Sequence, residues 1–262
     1  MRPNGCWGYS RHVFYEVSKA VLSPILHGYF DIETSGLENV PEDGPAILAA
    51  NHLSFLDSFF IPLVVDRRVT YVAKAEYFEH WYSRIFFKSW GQIPIKRDGG
   101  EASENALEAA AEVLERGELF GIYPEGTRSP DGNLHKGHTG VARLALRSGA
   151  PVIPVGVAGT REVLPKGKRM PNRGDVHVRF GSPMQFSDRT SSKSERLLLR
   201  SITDEVMFEI AALSGQEYHD SYANHANAYS AALEDLAESR IRMTEATSAK
   251  ADDDAAELAA TG

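Results

Sequence analysis

The sequence predicts an α/β fold with a mixed, largely parallel sheet flanked by helices, because two kinds of segment alternate along the chain. Short apolar runs such as residues 46–50 and 152–157 are typical of buried strands. Between them lie amphipathic stretches with apolar residues every three or four positions, several of which end at a glycine. Strands that alternate with helices favour a sheet built largely from parallel pairs.

The first part of the chain predicts a helix, then a strand followed by a second apolar segment. Residues 11–30 carry apolar side chains at helical spacing, and Pro24 would kink or end that helix. Those apolar positions include Phe14, Val17, Val21 and Ile25. Residues 46–50 suit a buried strand, and residues 59–65 suit a helix or a second buried run. Lys74 follows another apparent strand.

The second part of the chain continues this alternation. Residues 101–116 predict a helix with Gly117 as its C-terminal stop, and residues 119–123 predict a buried strand. Residues 138–148 predict a further helix that ends at Gly149. The remaining predicted elements are strands at residues 152–157 and 175–180 and a long amphipathic helix over residues 199–213.

Composition divides the chain into a helical segment at residues 1–35, a central domain at residues 36–214 and a tail at residues 215–262. At 262 residues and 42% hydrophobic content, the chain can bury a sizeable core. From residue 215 onward there are ten acidic and three basic residues, so the tail carries about −7 of the formal net charge of −8. This acidic, alanine-rich composition predicts a tail that is partly helical and partly disordered.

Residues 51–57, with the sequence NHLSFLD, place an imidazole and a carboxylate at the predicted strand-to-helix turn. Residues five apart lie about 140° apart around a continuous helix, so His52 must precede the helix if it is to meet Asp57. With Ser54 as the N-cap, Asp57 would be the third helical residue and could turn back toward the loop. The spacing therefore predicts a catalytic dyad of His52 and Asp57.

The same residues have a structural interpretation that involves no catalysis. Ser54 and Asp57 match a capping box, in which Asp57 satisfies backbone donors and His52 is an ordinary loop residue. Covalent catalysis is disfavoured by what else the chain contains. The single cysteine, Cys6, lies in the extreme N-terminal segment, and the sequence has no Gly-x-Ser-x-Gly elbow.

The motif at residues 51–57 resembles the first sequence block of the glycerolipid acyltransferases, the family that includes the 1-acylglycerol-3-phosphate acyltransferases. Residues 91–97 (GQIPIKR) resemble the second block of that family, and residues 123–129 (YPEGTRS) resemble the third, with Tyr123 where Phe is usual. Residues 153–155 are similar to the fourth block. All four occur in the order found in the family.

The resemblance implies that an acyl group moves from acyl-CoA or an acyl-carrier protein to the free hydroxyl of 1-acylglycerol 3-phosphate, which gives phosphatidic acid. A thioester is already activated, so the reaction needs a base and the exclusion of water, and no cofactor or metal. The unperturbed pKa of histidine suits that base near neutral pH. A carboxylate on the other ring nitrogen would fix the tautomer and stabilise the imidazolium.

An anionic acceptor also requires positive charge and backbone donors. Arg97 and Arg128 are the predicted phosphate ligands, because a guanidinium offers a rigid fork of donors to phosphate oxygens. Lys74 could add a mobile point charge. Gly126 would let the backbone approach a ligand, and Thr127 would add a hydroxyl donor. From spacing alone, Arg97 and Arg128 are better explained as solvated loop arginines, and the match to the family blocks reverses that preference. For Lys74, an ordinary lysine at a strand end remains an alternative.

Glu125 cannot attract a phosphate by charge. The residues around it favour a carboxylate that orients Arg128, Arg97 or a hydroxyl of the acceptor. The resemblance assigns Glu125, together with Gly126 and Arg128, to acceptor binding.

The expected lipid substrates predict contact with a membrane surface. No apolar run reaches the roughly 20 residues that a membrane-spanning helix needs, so we expect peripheral association. Residues 11–30 are the candidate interfacial element, and the aromatic stretch at residues 77–90 could line an acyl channel or press against lipid. Packing in the core is the alternative for both. The basic cluster at residues 161–173 could attract coenzyme A phosphates or anionic head groups.

Other partners are less consistent with the sequence. The nearly neutral body contains no recognised nucleic-acid module, and His135, His138 and the acids at residues 252–254 are interpreted as ordinary polar residues and not as metal ligands. The single cysteine and the absence of a signal-peptide pattern predict the cytoplasmic face of a membrane. Two alternatives remain: another acceptor, such as a different lysophospholipid, glycerol 3-phosphate or a glycolipid, or a lipid-binding relative without activity.

Overall fold

A seven-stranded sheet with helices on both faces forms the centre of the structure. The computed structural model describes residues 7–81, 84, 87, 90, 92–95, 102–165, 167–168, 170–189 and 194–223. Its helices are α1 (Trp7–Tyr29), α2 (Asp57–Val64), α3 (Ala102–Glu115), α4 (Gly140–Ser148), α5 (Thr160–Val163) and α6 (Glu195–Ser214). Short 3-10 helices lie at Leu37–Asn39 and Ala75–Phe78.

Within the described residues, nine strands build two sheets. The strands are β1 (Asp31–Ser35), β2 (Ala46–Ala50), β3 (Val69–Lys74), β4 (Gln92–Ile95), β5 (Leu119–Ile122), β6 (Leu134–His135), β7 (Val152–Ala158), β8 (Asp175–Phe180) and β9 (Tyr218–His219). The large sheet has the order β1-β8-β7-β2-β5-β3-β4, and all of its pairs are parallel except β7 with β8. The short strands β6 and β9 pair separately. The α/β fold with a mixed, largely parallel sheet is therefore confirmed.

The core lies on both faces of this sheet, and β2 shows why. Ile47 and Ala49 belong to the hydrophobic cluster that α3, α4 and α6 cover. Ala46, Leu48 and Ala50 belong to the cluster on the other face, which α2 covers. Every residue of β2 is fully buried. A continuous apolar run is what a strand covered on both faces requires, since its alternate side chains both enter a core.

Most predicted elements are present with ends within a few residues of those expected. The structure adds β1 and β4, which the sequence pattern did not indicate. Residues 31–35 form β1, paired in parallel with β8, although the sequence assigns them to the N-terminal segment. The domain boundaries at residues 35 and 214 stay predictions.

Helix α1 packs one face on the domain and exposes the other. The buried Tyr15 hydroxyl donates to the carbonyl of Pro62 at 3.4 Å, and Lys19 Nζ donates to the carbonyl of Val65 at 2.5 Å. On the opposite face, Val17, Val21 and Ile25 are 58%, 56% and 58% exposed. Pro24 lies inside the helix without ending it. These three side chains therefore lie on the surface of the structure and not in its core.

The length and apolar character that a bilayer-spanning helix needs do not occur together in any helix of the described residues.

Candidate active site

The loops that follow β2 and β5 meet at one edge of the sheet. These two strands are parallel neighbours, so their carboxyl ends bring residues 51–56 and residues 123–129 side by side. The backbone N–H of Ser129 donates to the carbonyl of His52 at 2.7 Å and joins the two loops directly. Carboxyl ends of strands are where open α/β sheets place their ligand sites.

His52 and Asp57 form a hydrogen-bonded pair. His52 Nδ1 lies 2.9 Å from Asp57 Oδ2, and the Asp57 side chain is fully buried. The same oxygen accepts the backbone N–H groups of Leu53 at 2.7 Å and Ser54 at 2.8 Å. One carboxylate therefore both satisfies backbone donors and contacts the imidazole.

The expected N-cap at Ser54 is wrong. Helix α2 begins at Asp57, and its N-cap is Leu56, which makes no side-chain capping bond. The Ser54 hydroxyl instead accepts the backbone N–H of Leu56 at 3.4 Å. Two residues of additional loop place Asp57 at the very start of the helix, from where its carboxylate reaches back over the loop to His52.

Asn51 fixes the end of β2 just before His52. Its amide nitrogen donates to the carbonyl of Val157 at 2.8 Å, and its amide oxygen accepts the Val157 N–H at 2.7 Å. The Asn51 amide nitrogen also donates to Gln216 Oε1 at 2.6 Å. The loop with His52 is thus anchored both to β7 and to the chain that follows α6.

Glu125 lies behind the site and contacts two backbone segments. Its Oε2 accepts the N–H of His52 at 3.1 Å, and its Oε1 accepts the N–H of His135 at 3.0 Å. The residue is 1% exposed, and burial raises the pKa of its carboxyl to about 7, although the two backbone donors act in the opposite direction. Both oxygens therefore hold loops in place.

An aromatic ring covers one face of the imidazole. The rings of His52 and Tyr123 are stacked, with centroids 4.0 Å apart and planes 12° apart. The Tyr123 hydroxyl lies 2.9 Å from Ser58 Oγ, one residue beyond Asp57. Burial raises the pKa of the Tyr123 hydroxyl. Tyr71 stacks on the same tyrosine with centroids 5.5 Å apart.

A cavity of about 280 Å³ opens beside the dyad. His52, Gly126, Thr127 and Arg128 line it together with apolar and aromatic side chains. The latter include Phe55, Phe59, Val72, Phe87, Trp90, Ile122 and Tyr123. A chamber that is apolar over most of its wall and basic at one position suits a lipid with a charged end.

The predicted site residues fall into four groups. His52, Gly126, Thr127 and Arg128 line the cavity, whereas Asp57 and Glu125 are buried behind it. Lys74 is the last residue of β3, one strand away from β5. Arg97 lies outside the described residues, as do Lys166 and Arg169 of the basic cluster.

The segment at residues 216–222 is a further part of the site that sequence patterns did not indicate. It pairs with β6 and stacks Tyr222 on His138, with ring centroids 4.6 Å apart. A Cβ at Gly126, which has φ 71°, would lie 3.2 Å from the His138 ring. The segment after α6 therefore packs against the loop that carries Gly126 and Arg128.

Polar side chains around this loop satisfy one another. His135 is buried, and its Nε2 lies 3.0 Å from Asp131 Oδ1. Lys136 Nζ lies 2.6 Å from Asp220 Oδ1. Among the described residues, no group of three or more His, Cys, Asp or Glu side chains has an arrangement that could hold a metal ion.

Fold and site together define an α/β protein with a His-Asp pair beside a largely apolar cavity. Comparison with known proteins relates this chain to acyltransferases. The family model described as Acyltransferase matches residues 31–158. The chloroplastic 1-acyl-sn-glycerol-3-phosphate acyltransferase of Brassica napus is 29% identical over 181 residues, which are 68% of this chain and 52% of that protein. The Bacillus subtilis enzyme of the same name is 26% identical over 176 residues, with 66% and 84% covered.

A solved structure extends the similarity to three dimensions. The crystal structure of the 1-acyl-sn-glycerophosphate acyltransferase PlsC from Thermotoga maritima superimposes with a TM-score of 0.58 at 26% identity, covering 78% of this chain and 79% of that one. The chain spans about half the length of the Brassica relative. Together, the comparisons support a glycerolipid acyltransferase.

Proposed function

We propose that the protein transfers a fatty acyl group from an acyl thioester to the free hydroxyl of 1-acylglycerol 3-phosphate. The observation that carries this proposal is the 2.9 Å contact between His52 Nδ1 and Asp57 Oδ2 beside the cavity. With Nδ1 engaged by the carboxylate, Nε2 is the ring nitrogen that accepts a proton from the substrate. The named relatives support the choice of acceptor.

The reaction needs no covalent enzyme intermediate. His52 Nε2 removes the proton of the acceptor hydroxyl as its oxygen attacks the thioester carbonyl, so that a C–O bond forms and the C–S bond breaks. The thiolate that leaves receives the proton from the imidazolium. Asp57 keeps the neutral imidazole in the tautomer with Nδ1 protonated and stabilises the positive charge that forms on the ring. General-base assistance of this kind contributes about 10²- to 10⁴-fold.

The phosphate end of the acceptor is assigned to the loop after β5. Arg128 brings a guanidinium to the cavity, Thr127 a hydroxyl, and Gly126 a backbone without a side chain. Arg97 and Lys74 are proposed to complete this site. Glu125 is assigned a supporting role, since its two oxygens accept backbone N–H groups from the loops that carry the site.

The apolar part of the cavity is proposed to hold the acyl chain of the donor. Phe55, Phe59 and Trp90 provide a wall suited to a hydrocarbon. The donor is acyl-CoA or an acyl-carrier protein. The exposed face of α1 supports peripheral attachment to the cytoplasmic face of a membrane, because Val17, Val21 and Ile25 form an apolar stripe at helical spacing.

Release of free thiol from acyl-CoA, measured with and without lysophosphatidic acid, tests the proposal. We expect release that depends on the acceptor, with phosphatidic acid as the product, and a loss of at least about 10²-fold in the His52→Ala variant. His177→Ala is the matched control, because His177 pairs with Glu33 on a distant edge of the sheet. An active His52→Ala protein would rule out the mechanism.

The same assay separates the alternatives. Product formed only from glycerol 3-phosphate, another lysophospholipid or a glycolipid would replace the proposed acceptor and leave the dyad in its role. Thiol release that is independent of acceptor would indicate hydrolysis. Lipid binding without turnover of any acceptor would identify a non-catalytic relative.

A further inference from the structure

Tyr123 contacts the catalytic histidine in a way that the resemblance to the family does not explain. Its ring lies face to face with the imidazole of His52 at 4.0 Å, and its hydroxyl meets Ser58 on α2 at 2.9 Å. We propose that Tyr123 is a positioning residue of the dyad, which fixes the plane of the His52 ring and stabilises the imidazolium formed during transfer. This inference rests on the proposed function of His52.

The stacked geometry supports both parts of this role. An imidazole held only through Nδ1 can still rotate about that hydrogen bond, whereas a second ring 12° from parallel restricts its plane. The face of a phenol carries negative charge density, so it attracts a cation placed over it. The neutral imidazole gains less from that face than the imidazolium. Tyr123 therefore favours the charged state through which the reaction passes.

Ser58 connects Tyr123 to the other member of the dyad. Asp57 and Ser58 are consecutive residues in the first turn of α2, so the hydrogen bond between the hydroxyls of Tyr123 and Ser58 joins this turn to the end of β5. The contact fixes the tyrosine ring relative to the carboxylate as well as to the imidazole. A phenylalanine at this position would keep the stack and lose the link.

Tyr71 stacks on Tyr123. The rings of His52, Tyr123 and Tyr71 form a continuous stack, with the last two 5.5 Å apart and 19° from parallel. Tyr71 in turn lies directly over Gly121, where a Cβ would be 2.1 Å from the ring. The backbone of β5 therefore determines how closely the Tyr71 ring, and with it the stack, approaches the sheet.

In the described part of the chain, few charged groups other than Asp57 lie near the imidazole of His52. Asp57 contacts Nδ1, Glu125 accepts the backbone N–H of the histidine, and Arg128 lines the same cavity. Neither carboxylate bonds to Tyr123 directly. Replacing the tyrosine ring consequently changes the environment of the imidazole without removing any of these charges.

Two variants separate the ring from the hydroxyl. Tyr123→Phe keeps the stack, and we expect it to lower kcat by about 3-fold because the hydrogen bond to Ser58 is lost. Ser58→Ala removes the same hydrogen bond and should lower kcat equally. The double variant should show no further loss. Tyr123→Leu removes the stack, and we expect a loss of about 10-fold or more with unchanged KM values for donor and acceptor. Phe208→Leu, on the exposed face of α6, is the matched control.

The pH dependence distinguishes positioning from packing. With the ring removed, the imidazolium is less stable, so the acidic limb of the kcat profile moves to lower pH in Tyr123→Leu and stays in place in Phe208→Leu. A lower kcat with an unmoved limb, or a raised KM with unchanged kcat, would overturn the proposal, because the tyrosine would then be a packing residue or a wall of the substrate site.

Proton NMR of the His52 ring tests the stack without any substrate. The ring protons should lie upfield in the unmodified protein and in Tyr123→Phe, and move downfield in Tyr123→Leu, where protonation should also occur at lower pH. Unchanged chemical shifts would contradict the proposal. If these shifts occur in a protein with no acyltransferase activity, the positioning role stands and the proposed function fails.

Discussion

Asp57 directs a single carboxylate oxygen, Oδ2, at both the imidazole of His52 and the backbone of the loop that carries it. The distances are 2.9 Å to Nδ1 and 2.7 and 2.8 Å to the N–H groups of Leu53 and Ser54. The other oxygen, Oδ1, is buried without a hydrogen-bond partner in the described part of the chain. The residue that orients the base therefore also shapes the turn, and the two roles can be separated by substitution.

We expect Asp57→Asn and Asp57→Ala to differ in stability more than in activity. An asparagine oxygen still accepts the two backbone N–H groups, so unfolding should cost within about 1 kcal/mol of the original, whereas alanine leaves buried donors unpaired at about 2 kcal/mol or more. Both remove the charge beside the imidazole and should lower kcat by about 10²-fold or more. Urea unfolding and thiol release measure the two effects. Equal stability of the variants would contradict this division.

Glu125 should make the protein less stable as the pH rises. Its folded pKa of about 7 lies above the ordinary 4.5, so between these values the folded protein binds more protons than the unfolded chain. The free energy of unfolding contributed by this group is therefore highest below pH 4.5 and falls as the pH rises toward 7. Glu125→Gln, which cannot ionise, removes this dependence.

Urea midpoints at pH 5 and pH 8 check that sign. The unfolding free energy of Glu125→Gln, compared with that of the unmodified protein, should be about 2 kcal/mol more favourable at pH 8 than at pH 5. One weakened backbone contact should lower the stability of the variant by the same amount at both pH values. Glu112→Gln, on the exposed face of α3, is the control and should show no such change. If the stability difference between Glu125→Gln and the unmodified protein is the same at both pH values, the carboxyl is ionised throughout this range and the predicted dependence is wrong.

The contact between His52 and Asp57 was predictable because both residues lie within one seven-residue motif, and a single turn sets the distance between them. The role of Glu125 was not, since its partners are backbone N–H groups 73 and 10 residues away. Gln216 lies 165 residues from Asn51, and glutamine after a helix carries no recognisable signal. Contacts of this kind depend on how β2, β5 and the chain after α6 meet, which side-chain periodicity does not encode.

The fold shows the same contrast. Strands β2 and β7 are buried on both faces and appear as unbroken apolar runs, so the sequence predicts them. Strand β1 is an edge strand with the sequence DIETS, mostly exposed, and it resembles a loop. Strand β4 contains Pro94, which weakens the strand signal, and only its register with β3 identifies it.

Gly121→Ala should disrupt the aromatic stack from below. The new Cβ would lie 2.1 Å from the ring of Tyr71, so that ring must move, at a cost of about 1–3 kcal/mol in unfolding free energy. Because Tyr71 stacks on Tyr123, kcat should fall as well. Gly140→Ala is the control. Gly140 is the first residue of α4, and a Cβ there would lie at an ordinary contact distance of 3.7 Å from Leu107, so alanine should be neutral or slightly stabilising.

The stripe on α1 predicts how the protein meets lipid. Replacing Val17, Val21 and Ile25 together by serine should weaken binding to anionic vesicles, measured by sedimentation, by about 10-fold or more. Each of these exposed side chains would bury apolar area in the lipid when the protein binds, and serine would not. Unfolding free energy, and thiol release from acyl-CoA in the presence of a soluble short-chain acceptor, should change little. Ser substitution of Leu197, exposed on α6, is the control. Unchanged vesicle binding would remove α1 from the proposed membrane contact.

Gln216 should matter to activity although it lies outside the part of the chain that matches the family. Its side chain accepts from Asn51, next to His52, and donates to the carbonyl of Gly132 at 2.7 Å, so it joins both loops of the site. Gln216→Ala should lower unfolding free energy by about 1 kcal/mol and kcat several-fold, since a displaced loop misplaces the base. Glu217→Ala, whose side chain is 81% exposed, should do neither. If both variants behave alike, the segment after α6 only covers the site and does not position it.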